Sequence, residues 1–532
     1  MTELVLAGGV LVDGTGAPRR RADVAIAQGR ITAVTEPGDR DAPGRRIDVS
    51  GLVVAPGFID MHAHSDLAVL ADPAHEAKVA QGVTTEVLGQ DGLGYAPVTD
   101  ATMPAVREQI AGWNGTPDLD YAWRSVADYL DLVDAGAPVN VAYLVPQGNI
   151  RMAVVGTEDR PATHEELDRM RALVARGMAD GAFGLSAGLT YTPGMYADDD
   201  EIVALLEPVR AAAGYYCPHH RNYGSRVVES YQECLDVARR AGVALHLAHC
   251  HVNFPLNAGR APEVLAAVDA ALASGTDVSL DSYPYLASAT YLGSLLPSRA
   301  HAGGVAASVE RLRDPAERAL LLHEVEVVGS DGNHGVPVDW SSIVITGVRS
   351  DALAWAVGHS VAHLAARSGR RPGELFADLL VEDEMGTGCL LKVGNEENVR
   401  TIMRHSAHTG GSDGILVGAK PHPRGWGTFP RYLGHYVREL GVLGLEECVA
   451  HLTSRPARRL GLADRGTVRP GAAADVVVFD PDTVAATATY DAPTRTPVGI
   501  PHVLVNGEFT VADGVRSERL PGRSLRSAGR AR

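Results

Sequence analysis

The segment Val53-Val54-Ala55-Pro56-Gly57-Phe58-Ile59-Asp60-Met61-His62-Ala63-His64 reads as a short apolar strand that ends in two histidines one residue apart. On a strand, residues i and i+2 share a face, so both imidazoles project to one side of its end, where one metal ion can take both. Two surface histidines close together by chance are the competing reading, and the apolar strand with Pro-Gly-Phe-Ile-Asp before them argues against it. Apolar segments recur downstream at 83–88, 139–145, 182–185, 243–248, 278–280 and 408–411, separated by helical stretches. One such stretch is 164–180, where Leu167, Met170, Leu173, Val174 and Met178 fall at helical spacing. Repeated β-then-α units imply a parallel sheet. Six or more of them, with no G-x-G-x-x-G after the first strand, favour a closed (β/α)8 barrel over a doubly wound sheet. Barrels of this kind carry their chemistry at the carboxyl ends of the strands, which is where His62 and His64 stand.

Outside the barrel the texture changes. Residues 2–54 form short apolar runs with period-two alternation, punctuated by Gly, Asp and Pro. The same texture returns in GTVRPGAAADVVVFD and HVLVNGEFTVADG, where Asn506-Gly507 is a hairpin signal. The fold predicted is therefore α/β, a metal-dependent (β/α)8 barrel with a small β-sandwich domain built from both chain ends. The first part of the small domain takes residues 1–55 and the second 461–515. The barrel takes 56–460, with an insertion at about 287–350 where the rhythm breaks into Leu, Arg and Glu. Residues 516–532 read as a loose Arg-rich tail, solvated or packed on a neighbouring subunit.

Composition narrows the function. With 532 residues, 45% hydrophobic and 21% charged, the chain can bury a large core. A net charge of −17 excludes broad binding to phosphate backbones or anionic lipid, so neither nucleic acid nor membrane is an expected partner, while self-association in a homo-oligomer is left open. The five cysteines are scattered and odd in number, and no secretory leader or run of about 18 apolar residues occurs. A cytoplasmic location is the expectation. Only three of the 48 basic residues are lysines: Lys78, Lys392 and Lys420.

Two further histidine regions sit at strand ends, GYYCPHHRNYG with His219 and VALHLAHCHV with His249, and each holds several candidates. Parity puts His249 and His251 on one face, and His219 with Cys217. Late in the barrel series, His408-Thr409-Gly410-Gly411-Ser412-Asp413-Gly414 projects one carboxylate from a small-residue strand end. Asp413 is placed to take a proton from the attacking water and deliver it to the leaving group.

The order H-x-H, His, His, Asp resembles the amidohydrolase superfamily. Within it, GVTTEVLGQDGLGYAP, GAFGLSAGLTYTPG, DSYPY, HTGGSDG and KPHPRGWGTFPRYLGHYVRE are similar to the D-aminoacylase (N-acyl-D-amino-acid deacylase) family over nearly the whole chain. The resemblance implies a metal-dependent hydrolase acting on the linear amide of a small N-acyl substrate. It implies Zn²⁺, tightly held by Asp91, His219 and His249, with His62, His64 and Asp413 lining a second, weaker or empty position. Asp91 stands where many members carry a cysteine, and a carboxylate also ligates zinc. His251 stands where a lysine is expected to meet the substrate carboxylate, and DSYPY is followed by Leu286-Ala287-Ser288-Ala289 rather than a second adjacent serine. Arg151, Tyr191, His251 and Tyr283 are the candidates for substrate binding. The alternatives are a hydantoinase- or dihydroorotase-like cyclic amide hydrolase, which needs a carboxylated lysine, and a catalytically dead barrel serving as a scaffold. Between His64 and His219 only Lys78 is available for the first, and it lies on a helix before the second strand.

Overall fold

The computed structural model describes residues 3–38 and 44–527. Eight parallel strands form its centre: β1 (Phe58–Asp60), β2 (Val83–Leu88), β3 (Asn140–Tyr143, continuing past Leu144 as Val145–Pro146), β4 (Gly184–Gly188), β5 (Tyr215–His219), β6 (Ala244–Leu247), β7 (Val278–Ser282) and β8 (His408–Gly410). Pairing runs in order from β1 to β3, then from the continuation of β3 through β4, β5, β6 and β7 to β8. The ring closes between β8 and β1, where Met61 N donates to Gly410 O at 3.2 Å and Asp413 N donates to His62 O at 2.7 Å. Ala63 and Gly414 pair in parallel at the same seam. Most strand residues are buried, as expected when a parallel sheet is covered on both faces. Outer helices follow the predicted periodicity. The helix His164–Ala179 begins at a capping box in which Thr163 and Glu166 bond each other's backbone N–H, and it buries Met170, Val174 and Met178.

The two chain ends share one nine-stranded sheet. Val53–Pro56, which leads into β1, pairs antiparallel with Val476–Phe479 from the other end of the chain. Leu4, Leu6, Val24, Val54, Val476 and Leu504 belong to a core separate from the barrel's. The small β domain thus takes the form of one continuous hydrogen-bonded sheet.

The inserted lobe is larger than the sequence rhythm suggests. Its sheet consists of Ser288–Tyr291, Ile343–Gly347 and Gly388–Leu391, with the last strand in the middle. The sheet is therefore incomplete until residue 391, not 350. The helices Val361–Ser368 and Pro372–Glu382 pack into the same apolar core as Leu292, Leu321 and Ile343.

The Arg-rich tail, in its described part, is not loose but paired with the chain's own barrel. Arg523 O accepts from Val141 N at 3.0 Å and Leu525 N donates to Val141 O at 2.7 Å, so the segment covers the free edge of β3, which β4 meets only at the Val145–Pro146 continuation. Backbone groups at an unpaired edge require partners, and the tail supplies them. Arg526 pairs with Asp131 on the adjacent helix Val126–Ala135. The remainder of the predicted tail, residues 528–532, lies outside the described residues. No helix among the described residues is long and apolar enough to cross a membrane.

Candidate metal centre and substrate pocket

Six side chains converge at the carboxyl ends of the strands. His62 and His64 follow β1, Asp91 lies on the loop after β2, His219 ends β5, His249 follows β6 and Asp413 follows β8. Asp91 is central to the group. Its Oδ1 lies 3.5 Å from His62 Nε2 and 3.4 Å from His249 Nε2, and its Oδ2 lies 3.4 Å from His64 Nε2 and 3.5 Å from His219 Nδ1. Asp413 Oδ1 faces His64 Nε2 at 3.2 Å and His62 Nε2 at 3.8 Å. Two donor sets result, His62, His64, Asp91 and Asp413 on one side and Asp91, His219 and His249 on the other, sharing Asp91.

These residues fit a divalent metal. Both ring nitrogens of His62 and Oδ1 of Asp91 are buried without a hydrogen-bond partner, an arrangement that protein interiors otherwise avoid. Imidazole nitrogen with carboxylate oxygen is a donor set suited to zinc. Outer partners orient the rings. Thr190 Oγ1 lies 2.8 Å from His219 Nε2 and Tyr223 OH lies 3.0 Å from His249 Nδ1, so the opposite nitrogen of each ring turns inward, 3.0 Å apart. Asp281 on β7 accepts from His249 N at 3.0 Å, lies 2.9 Å from His246 Nε2 and stands 3.8 Å from His62 Nδ1.

The backbone is strained where these groups are held. Asp91, His249 and Asp413 have φ of 54°, 31° and 48°, a left-handed region sparsely used by non-glycine residues and found at functional sites. A Cβ on Gly188 would stand 1.9 Å from Asp91 O, so the end of β4 must be glycine for the Asp91 loop to lie against it. Burial raises the Asp91 carboxyl, but His62, His249 and His219 outweigh it and hold the group well below the usual carboxylate range.

The centre opens into a cavity between the barrel mouth and the lobe. Tyr191, His251 and Tyr283, three of the predicted substrate contacts, line it. The His251 ring stacks 4.0 Å from the Tyr283 ring, and burial, followed by His249, lowers its pKa to about 3. It is therefore a neutral contact and does not supply the charge of the lysine expected in its place. Ser288, the displaced serine, meets Tyr283 OH at 3.3 Å.

Arg151 does not reach the cavity. Its guanidinium is fully buried, paired with Glu201 on the helix Asp199–Ala211 and bonded to the Arg160 carbonyl, so it is structural. The cation at the site is Arg424, which spacing did not single out although it lies within KPHPRGWG. Arg424 is fully buried, its Nη1 lies 2.9 Å from Asp413 Oδ2, and its guanidinium sits 4.4 Å over the Tyr283 ring. Trp113, Thr190, Tyr223 and Asp281 were also missed. Asp281 stands in the quoted DSYPY, whereas nothing local marks Trp113. Ser330-Asp331-Gly332 forms a turn in which Asp331 accepts from Ser298 N at 2.8 Å, and the same loop brings Gly332 and His334 to the pocket wall.

Lys78 is buried beneath the centre. Its Nζ lies 2.7 Å from Asp60, 3.1 Å from Glu86 and 2.9 Å from Ser412 Oγ. Burial lowers its pKa, but the two carboxylates outweigh it and raise the pKa above the ordinary lysine value. Carboxylation needs a neutral amine, so Lys78 is a poor metal bridge.

An eight-stranded barrel with this His and Asp set at its mouth defines an amidohydrolase-type protein. Residues 45–511 match the sequence model of the Amidohydrolase family, and the chain belongs to that family. It is 38% identical over 527 residues to the N-acyl-D-glutamate deacylase of Alcaligenes xylosoxydans xylosoxydans, covering 98% of this chain and 96% of that one. It is 37% identical to the D-aminoacylase of the same organism, covering 95% and 93%. The crystal structure of the N-acyl-D-glutamate deacylase of Bordetella bronchiseptica, complexed with zinc and a phosphonate mimic of the tetrahedral intermediate, superposes with a TM-score of 0.84 at 35% identity over 99% of both chains.

Proposed function

We propose that this chain is a zinc-dependent deacylase that hydrolyses the amide bond of N-acyl-D-amino acids. The observation that carries the reading is the sharing of Asp91 by both donor sets, with Asp413 facing them at the floor of a pocket that opens at the barrel mouth. Asp91, His219 and His249 would hold the tighter ion, and His62 and His64 with Asp413 a second, weaker position. Zinc, when bound, supplies a Lewis acid for the amide carbonyl and makes a nearby water more acidic.

The chain's own residues do the rest. Asp413 receives the water's proton on Oδ1 and passes it to the departing amine, which then leaves as the free amino acid. Arg424 holds Oδ2 of Asp413 and sets its charge behind Tyr283, on the side where Tyr283 and His251 would meet the substrate carboxylate, while Tyr191 covers the opposite side. Lys78, held between two carboxylates, speaks against the cyclic-amide alternative. The five free, buried cysteines suit a reducing compartment, and the substrate is a small molecule rather than a nucleic acid or membrane.

The test is hydrolysis of N-acetyl-D-leucine and its L enantiomer by the zinc-loaded protein. The reading expects the D form to be favoured by about a hundredfold or more in kcat/KM. Equal turnover of the two, or none of either, contradicts it.

A further inference from the structure

Beside the reacting centre, one stretch of the cavity wall is aromatic and aliphatic, although Asn253, Ser294 and Thr290 also line the cavity. The Trp113 ring stands 4.9 Å from the His64 ring and 4.9 Å from Tyr191, whose own ring lies 4.8 Å from His219. Leu295 and Leu391 from the lobe and Ile415 from the loop after β8 complete the wall, each less than a tenth exposed. The hydroxyl of Tyr191 is engaged by Thr290 Oγ1 at 3.2 Å. Among the described residues lining the cavity there is no lysine or arginine, and its only carboxylates are Asp91 and Asp413. His334, on the lobe side, is held down to about 3 by burial and carries no charge at neutral pH.

The positive charge available next to the cavity is therefore Arg424, on the Asp413 side. An N-acyl amino acid with a neutral side chain brings one carboxylate, which the charge of Arg424 behind Tyr283 can offset. A glutamate or aspartate derivative brings two. The second would be desolvated against Trp113, Tyr191 and Leu295 with no cation to pair with, and burying a carboxylate without an opposite charge is strongly unfavourable. An apolar side chain on the same wall gains from burial instead.

Resting on the deacylase reading above, we infer that this enzyme selects N-acyl-D-amino acids with apolar side chains and discriminates against acidic ones, the Trp113, Tyr191 and Leu295 wall setting the choice. The experiment is kcat/KM of the zinc-loaded enzyme for N-acetyl-D-leucine, N-acetyl-D-phenylalanine and N-acetyl-D-glutamate, repeated with Leu295→Arg. The wild type should favour the better apolar substrate over the glutamate by about a hundredfold or more, and Leu295→Arg should narrow that ratio at least about tenfold. Turnover of the glutamate within about tenfold of the apolar substrates in the wild type overturns the inference while leaving the deacylase reading intact. Absence of turnover with all three overturns both. The wild-type ratio decides the matter even where Leu295→Arg fails to fold.

Discussion

Asp413 Oδ2 lies 2.9 Å from Arg424 Nη1, so one oxygen of this carboxylate is clamped by a buried cation. The other, Oδ1, faces His64 Nε2 at 3.2 Å. Burial alone would raise the Asp413 carboxyl, but Arg424 and then His64 outweigh it and hold the group below the usual carboxylate range. The pair keeps Asp413 ionised and presents a single oxygen toward the metal ligands, which is the geometry a proton carrier between water and amine needs.

Asp413→Asn keeps the shape of the side chain and removes its basicity. It should retain zinc and fold while losing on the order of 10³-fold or more in kcat. Steady-state kinetics alongside metal analysis checks this, and activity within about tenfold of the parent would rule out the proton-carrying role.

Arg424→Met removes both the clamp on Asp413 and the positive charge behind Tyr283 on the side proposed for the substrate carboxylate. The loss in kcat/KM should be larger for N-acetyl-D-leucine than for N-acetyl-D-leucine amide, because only the free acid loses an ionic partner. Equal losses for the two would confine Arg424 to orienting Asp413.

Lys78 neutralises Asp60 and Glu86 in a place with no solvent exposure. Lys78→Met would leave the buried Asp60 without its cation and Glu86 with His75 alone, and should cost about 3–5 kcal/mol, seen as a lower urea midpoint. The same cluster sets an acid limit. Although burial raises Glu86, Lys78 and His75 bring its pKa down to about 2. A depressed carboxyl contributes stability that is fully present above its unfolded value near 4.5 and is lost as pH falls from there toward 2, on the order of 3 kcal/mol in all. Urea midpoints measured from pH 6 to pH 3 should fall more steeply for the wild type than for Glu86→Gln. Parallel curves would remove Glu86 from the acid response.

Much of the fold was legible because local chemistry and tertiary role coincide. His62 and His64 fall at a strand end, strand parity aims them together, and the histidines at the ends of β5 and β6 follow the same logic. The helix His164–Ala179 announces itself through the helical spacing of Met170, Val174 and Met178, which the structure buries. Other features depend on partners distant in sequence. Arg151 looks like a carboxylate receptor until Glu201, 50 residues on and on another helix, takes its guanidinium. The lobe looks finished near residue 350 because its central strand, Gly388–Leu391, arrives after two helices. The tail looks loose because its polar composition hides the β3 edge that it covers.

The most direct measurement is zinc bound per chain, by equilibrium dialysis followed by elemental analysis, for the wild type and Asp91→Ala, with N-acetyl-D-leucine hydrolysis followed on the same samples. Asp91 is the one side chain common to both donor sets. The account predicts about one or more zinc ions per wild-type chain, with loss of both tight zinc and hydrolysis in Asp91→Ala. Full zinc retention by Asp91→Ala, or hydrolysis that continues after its zinc is gone, would contradict it.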